Sequence, residues 1–142
     1  KKATGAEFPI VIAGDTAGQP AIVVGPGAAQ AFAPELDLSK AGASGLGEDG
    51  IILKTLPSET VGRGPSLVLT GAEGSKRGTL YAVYEFLERE VGVRWWTHTE
   101  EFVPDQPTLV IGYLDVRYQP DLFYRLVYAW GDYSHRHYLG LR

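Results

Sequence analysis

The chain of 142 residues contains no cysteine, so disulfides, thiolate nucleophiles and cysteine ligands for zinc are excluded. It has no apolar run long enough to cross a lipid bilayer as a helix. Basic residues are also few, since 13 Lys and Arg stand against 17 Asp and Glu, giving a formal net charge of −4. The lack of a basic stripe argues against a nucleic-acid partner, and the lack of a long apolar run argues against a membrane-spanning segment.

What the chain does contain is enough apolar sequence for a hydrophobic core, at 44% of its residues. This indicates one globular domain, or one domain and the start of another. The first five residues, K-K-A-T-G, are typical of the last turn of a helix, with cations near its C-terminal dipole and then a glycine stop. We therefore interpret the chain as part of a longer polypeptide whose first helix is truncated.

The most strongly patterned stretch is residues 71–104, where a loop, a helix and a strand follow one another without gaps. Gly92 lies just after the apolar periodicity and predicts a C-terminal helix cap, and residues 93–97 are β-branched and aromatic, as in a strand. The helix is predicted from apolar residues at three- and four-residue spacing: Leu80, Val83, Tyr84, Leu87 and Val91.

Several short apolar runs bounded by turn residues predict further strands. They cover residues 8–13, 21–25, 50–56, 66–70, 108–113, 114–120 and 123–128, and the first two suit an antiparallel hairpin. Residues 28–46 are rich in Ala and predict one short helix or turn. The expected fold class is α+β, an α/β sandwich in which a mixed β-sheet has its helices packed on one face.

Three groups of polar residues are candidates for a binding or metal site. The strand-to-helix loop at residues 71–78 could hold a phosphate, but its glycine spacing fits neither nucleotide motif and Glu73 would repel an anion. His135 and His137 could share one strand face, yet spacing places no third metal ligand beside them. The helix glutamates, Glu85, Glu88 and Glu90, are most simply a solvated face. These patterns favour structural roles and predict no metal site.

The aromatic residues offer a different kind of surface. Trp95 and Trp96 are consecutive in a strand, so one is expected to point inward and the other toward a neighbour. Aromatic rings also stack on the apolar faces of sugars. Core or interdomain packing is the simpler interpretation of these two, whereas Trp130 fits either role.

The stretch R-G-T-L-Y-A-V-Y-E-F-L-E-R-E-V-G-V-R-W-W at residues 77–96, followed by F-V-P at 102–104, resembles a domain of bacterial glycoside hydrolases. That domain is the small N-terminal α/β domain preceding the catalytic barrel in α-glucuronidases, β-N-acetylhexosaminidases and a group of glycan-processing proteins with an uncharacterised barrel. The resemblance is closest to the last group and covers residues 2–120. It implies a β-N-acetylhexosaminidase domain-2-like sheet that carries no catalytic residue.

The same resemblance implies a division of the chain. Residues 1–120 would be the non-catalytic α/β domain, and residues 121–142 a linker and the start of a barrel. In the barrel portion, the match places Arg125, Trp130 and Asp132 as substrate-binding residues. Neither a catalytic residue nor a cofactor is expected in the chain.

The expected function is therefore that of a non-catalytic accessory domain of a bacterial carbohydrate-active enzyme, in the periplasm or outside the cell. Its partners would be its own C-terminal catalytic domain and, through that domain, a carbohydrate substrate. The alternative is a free-standing carbohydrate-binding or protein-interaction module, with Trp95, Trp96 and Trp130 as its platform. A phosphate- or nucleotide-binding domain built on residues 71–78 ranks last.

Overall fold

The computed structural model describes residues 2–11, 19–58, 64–97 and 99–122. In these ranges the elements are β1 (Ile22–Val24), α1 (Pro26–Phe32), β2 (Ile51–Leu56), β3 (Ser66–Gly71), α2 (Gly78–Arg89), β4 (Arg94–Trp95), β5 (Glu101–Phe102) and β6 (Asp115–Tyr118). Strands β1, β3, β2 and β6 form a four-stranded sheet in that order, in which β1 pairs parallel with β3 and the other pairs are antiparallel. Strands β4 and β5 form a separate antiparallel pair. The predicted α+β fold with a mixed sheet is confirmed.

Helices α1 and α2, the two that the described residues contain in full, pack on opposite faces of the sheet, so the prediction that helices cover one face is wrong. On the α1 side, Ala29 packs with Val68 and Ile52. On the α2 side, Phe86 packs with Leu67, Leu69 and Leu53. The reason lies in the central strands, where consecutive residues are apolar and each face therefore needs its own cover. We call these two groups of buried residues the α1 cluster and the α2 cluster.

Helix α1 begins earlier than the sequence indicated. Pro26 occupies its first turn, whereas the short helix was predicted within residues 28–46. Proline is favoured there because its fixed φ suits a helix and its missing N–H would have no intrahelical partner. The helix is short, and Ala29 is its fully buried residue.

The buried face of α2 matches the predicted one only in part: Val83 and Leu87 pack against the α2 cluster and Val91, just after the helix, is buried in it, as predicted. Gly78, Ala82 and Phe86 lie against the sheet, at four-residue spacing. Leu80 and Tyr84, which were predicted to face the core, are 53% and 36% exposed. The small residues at 78 and 82 let the helix approach the sheet closely, and this turns the larger Leu80 side outward.

Residues 108–113 do not form the predicted strand. Leu109 and Ile111 are half-buried against the α2 cluster while Val110 is exposed, so the alternation is present without strand pairing. The ladder to β2 begins only at Asp115. Residues 8–11 also lack strand structure, and residues 12 and 13 lie outside the described part. Strand β1, which was predicted to form an antiparallel hairpin with residues 8–13, pairs with β3 in the parallel direction.

Among the described residues, no helix has the length and apolar character needed to span a bilayer. The predicted strand at 93–97 is limited to the two residues of β4. The predicted strand at residues 123–128 lies outside the described residues.

Candidate functional site

The loop before α2 holds the helix start tightly against the sheet. A Cβ added at Gly78 would lie 2.6 Å from the backbone oxygen of Gly50, and one added at Gly71 would lie 2.6 Å from the Cα of Gly78. The Thr79 hydroxyl also accepts a hydrogen bond from the Gly71 amide at 3.2 Å. The loop glycines are therefore explained by close backbone contact between β3 and α2.

A carboxylate of the chain already lies at the N-terminus of α2. The backbone N–H of Lys76 donates to Glu48 Oε2 at 3.1 Å, and the Lys40 ammonium forms an ion pair with the same carboxylate. These contacts hold the pKa of Glu48 below its ordinary value, with the Lys40 hydrogen bond as the largest cause. Arg77 Nε donates to Asp49 at 2.8 Å. An added phosphate would meet two carboxylates here, which supports the low rank of the nucleotide hypothesis.

A second polar cluster fastens the connection after α1 to the sheet. Asp37 accepts hydrogen bonds from the Ser39 backbone at 2.9 Å and from the Ser44 hydroxyl at 2.8 Å. The hydrogen bond from the Ser39 side chain is the largest cause that lowers the pKa of Asp37 to about 2, and the Ser39 backbone, the Ser44 hydroxyl and the Arg117 charge add to it. Arg117 in β6 also donates to the Asp37 carbonyl at 2.7 Å and to the Ser44 carbonyl. The cluster closes a loop over the α1 side.

The paired tryptophans separate as expected, one inward and one outward. Trp95 packs on the α2 cluster and meets the ring of Tyr84 edge-on, with centroids 5.0 Å apart. Trp96 is 66% exposed, and its backbone N–H donates to the Glu100 carbonyl at 3.0 Å. Phe102, exposed on β5, pairs with Arg94, so its side chain lies on the same face of the two strands as Trp96.

The side of the sheet that carries α2 exposes several further apolar side chains. Ile22 and Val24 pair with Leu67 and Leu69, so they point toward the α2 side, yet each is nearly half exposed. Beside Ile22, an open groove of about 220 Å³ is lined in part by Phe8. We call the exposed residues of β1 and α2 the α2-side surface: Ile22, Val24, Leu80 and Tyr84.

The helix glutamates do not form a simple solvated face, contrary to prediction. Glu85, Glu88 and Glu90 are each half-buried. Glu85 pairs with Arg89 one turn later at 3.5 Å, and Arg94 donates to the Glu88 backbone carbonyl. The Glu85 pair lies within α2, and the Glu88 carbonyl connects the helix to β4 through Arg94.

The residues assigned to substrate binding by resemblance, Arg125, Trp130 and Asp132, lie outside the described residues, as do His135 and His137. The assignment stays a prediction. Within the described ranges, no three His, Asp or Glu side chains are grouped so that they could hold a metal ion.

The sequence interpretation missed two features that the fold brings together. Glu48 and Lys76 lie 28 residues apart, and no local motif connects a carboxylate before β2 with the start of α2. The α2-side surface was missed because Leu80 and Tyr84 fit a core stripe by spacing alone.

Comparison with protein-family models, with curated proteins and with solved structures finds no match to this chain.

Proposed function

We propose that this chain is a non-catalytic accessory domain of a bacterial carbohydrate-active enzyme, acting by packing on a catalytic barrel and shaping one wall of its substrate site. The observation that carries the packing role is the α2-side surface. The identity of the barrel rests on the sequence resemblance at residues 77–104. Periplasmic or extracellular location belongs to the same proposal.

Exposed apolar area supports packing against further protein. Isolated exposed apolar side chains are ordinary on a protein surface, but a group of them on one side of a sheet is typical of an interaction surface. Here β1 and α2 each contribute two such residues on that side. A helix with apolar residues on its flank as well as on its buried face is suited to two neighbours, one of which is the sheet.

The packing role is tested by polar substitution in two contexts. In the chain alone, Val24→Thr with Leu80→Gln is expected to leave the thermal midpoint within about 2 °C, because both side chains already meet water. In a polypeptide that joins residues 1–142 to a following catalytic barrel, the same pair is expected to lower the midpoint of this domain. The matched control is Tyr113→Gln, an exposed aromatic residue outside the surface. If the two substitutions change the thermal midpoint of this domain by the same amount in both contexts, the packing role is refuted.

The non-catalytic role has a separate test. Chromogenic glucuronide and N-acetylglucosaminide substrates are incubated with the purified chain, and turnover is compared with buffer alone. We expect no protein-dependent release of chromophore. Release of chromophore that scales with protein concentration would overturn the non-catalytic role, and the result of the packing test would be unaffected.

A second candidate function is carbohydrate binding, and the observation that favours it is the exposure of Trp96. Its ring is two-thirds exposed while Trp95 is packed, and Phe102 lies on the same face. Exposed aromatic faces can stack on the C–H surface of a pyranose.

Tryptophan fluorescence titrated with oligosaccharides tests this second candidate. If Trp96 binds sugar, a saturable change in emission is expected that disappears in Trp96→Ala and persists in Tyr113→Ala. A flat titration of the unmodified chain would eliminate carbohydrate binding by this surface and leave Trp96 as a packing residue.

A further inference from the structure

We draw no further inference here: the strongest candidate, the open apolar groove lined by Phe8, Ile22 and Leu67 on the α2 side of the sheet, belongs to the side on which the proposed function already rests, and nothing in the described residues shows what covers it.

Discussion

The two sides of the sheet differ in how completely they are covered. On the α1 side, Leu46 is 1% exposed and Ala29 and Val68 are fully buried, although the helix there has only seven residues. On the α2 side a twelve-residue helix leaves Ile22 and Val24 at the sheet edge in contact with water. A long helix is therefore no guarantee of a closed layer.

The connections explain the difference. After α1 the chain returns across the sheet and places Leu38 and Leu46 in the α1 cluster, where the contacts of Asp37 and Arg117 fasten the loop. After α2 it turns at Gly92 and continues into β4, and its later residues Leu109, Ile111 and Leu114 pack against the α2 cluster. Edge strand β1 stays partly exposed on that side. A short helix and a fastened loop together bury the α1 cluster, whereas the longer helix α2 leaves edge strand β1 partly exposed.

Truncating a core residue on each side is the strongest test of the comparison. Leu46→Ala on the α1 side and Leu53→Ala on the α2 side are each expected to lower the free energy of unfolding by about 2–5 kcal/mol, since both side chains are 1% exposed. Urea unfolding monitored by circular dichroism measures both. A cost below about 1 kcal/mol for Leu46→Ala alone would mean that the α1 side is not a second core.

A smaller loss is expected where α2 meets the sheet. Gly78→Ala places a Cβ 2.6 Å from the Gly50 oxygen, so the helix must shift, and we expect a cost of about 1–3 kcal/mol. The control is Gly27→Ala in α1, whose added Cβ meets no atom within 4 Å. That change is expected to be neutral or to stabilise by up to about 1 kcal/mol. Equal effects of the two substitutions would refute the close seating of α2.

Acid should weaken the α1 side through Asp37. Its pKa in the folded chain is about 2, below the ordinary 3.8, so its contribution is complete above about pH 4 and is lost as the pH falls toward about 2. In thermal unfolding across this range, Asp37→Asn is expected to show a shallower fall in midpoint than the unmodified chain. Ser44→Ala, which removes one hydrogen-bond donor, should lie between them. If the curves of all three proteins superimpose, Asp37 is not the source of the acid sensitivity.

The smallest effect is expected on the α2-side surface. Leu80→Gln retains a good helix former at a position that is 53% exposed, so the free energy of unfolding should change by less than about 0.5 kcal/mol. Binding of the apolar dye ANS to the native chain should decrease. A loss above about 1 kcal/mol would show that Leu80 belongs to a packed layer and would weaken the contrast between the two sides.

The parts of the fold that sequence predicts well are local. Gly92 was expected to cap α2; the helix ends at Arg89 with Glu90 as its C-cap, and Gly92 follows two residues later with φ 81°, in the left-handed region that favours glycine. Strands β2 and β3 follow from compact apolar runs that are bounded by turn residues in the sequence. In each case the element is determined by residues within it or next to it in the sequence.

The parts that sequence missed depend on long-range contacts. Spacing alone placed Leu80 in the core, whereas Ala82 and Phe86 lie there because the small Ala82 permits close approach. The run of consecutive apolar residues in β2 and β3 was the available signal for cover on both faces. The Glu48 contact with Lys76 had no sequence signal. The residues assigned by resemblance, Arg125, Trp130 and Asp132, stay predictions.

The parallel pairing of β1 has a consequence for motion. Among the described strands β1 has one partner, β3, through three residue pairs, whereas β2 is paired on both edges. Opening β1 breaks few contacts, so its amides should exchange with deuterium through local opening at a lower free energy than those of β2. The Gly25 amide, which donates to the Leu69 carbonyl at 3.0 Å, reports that opening directly. Edge strand β1 would then be the part of the sheet that a neighbouring domain stabilises most.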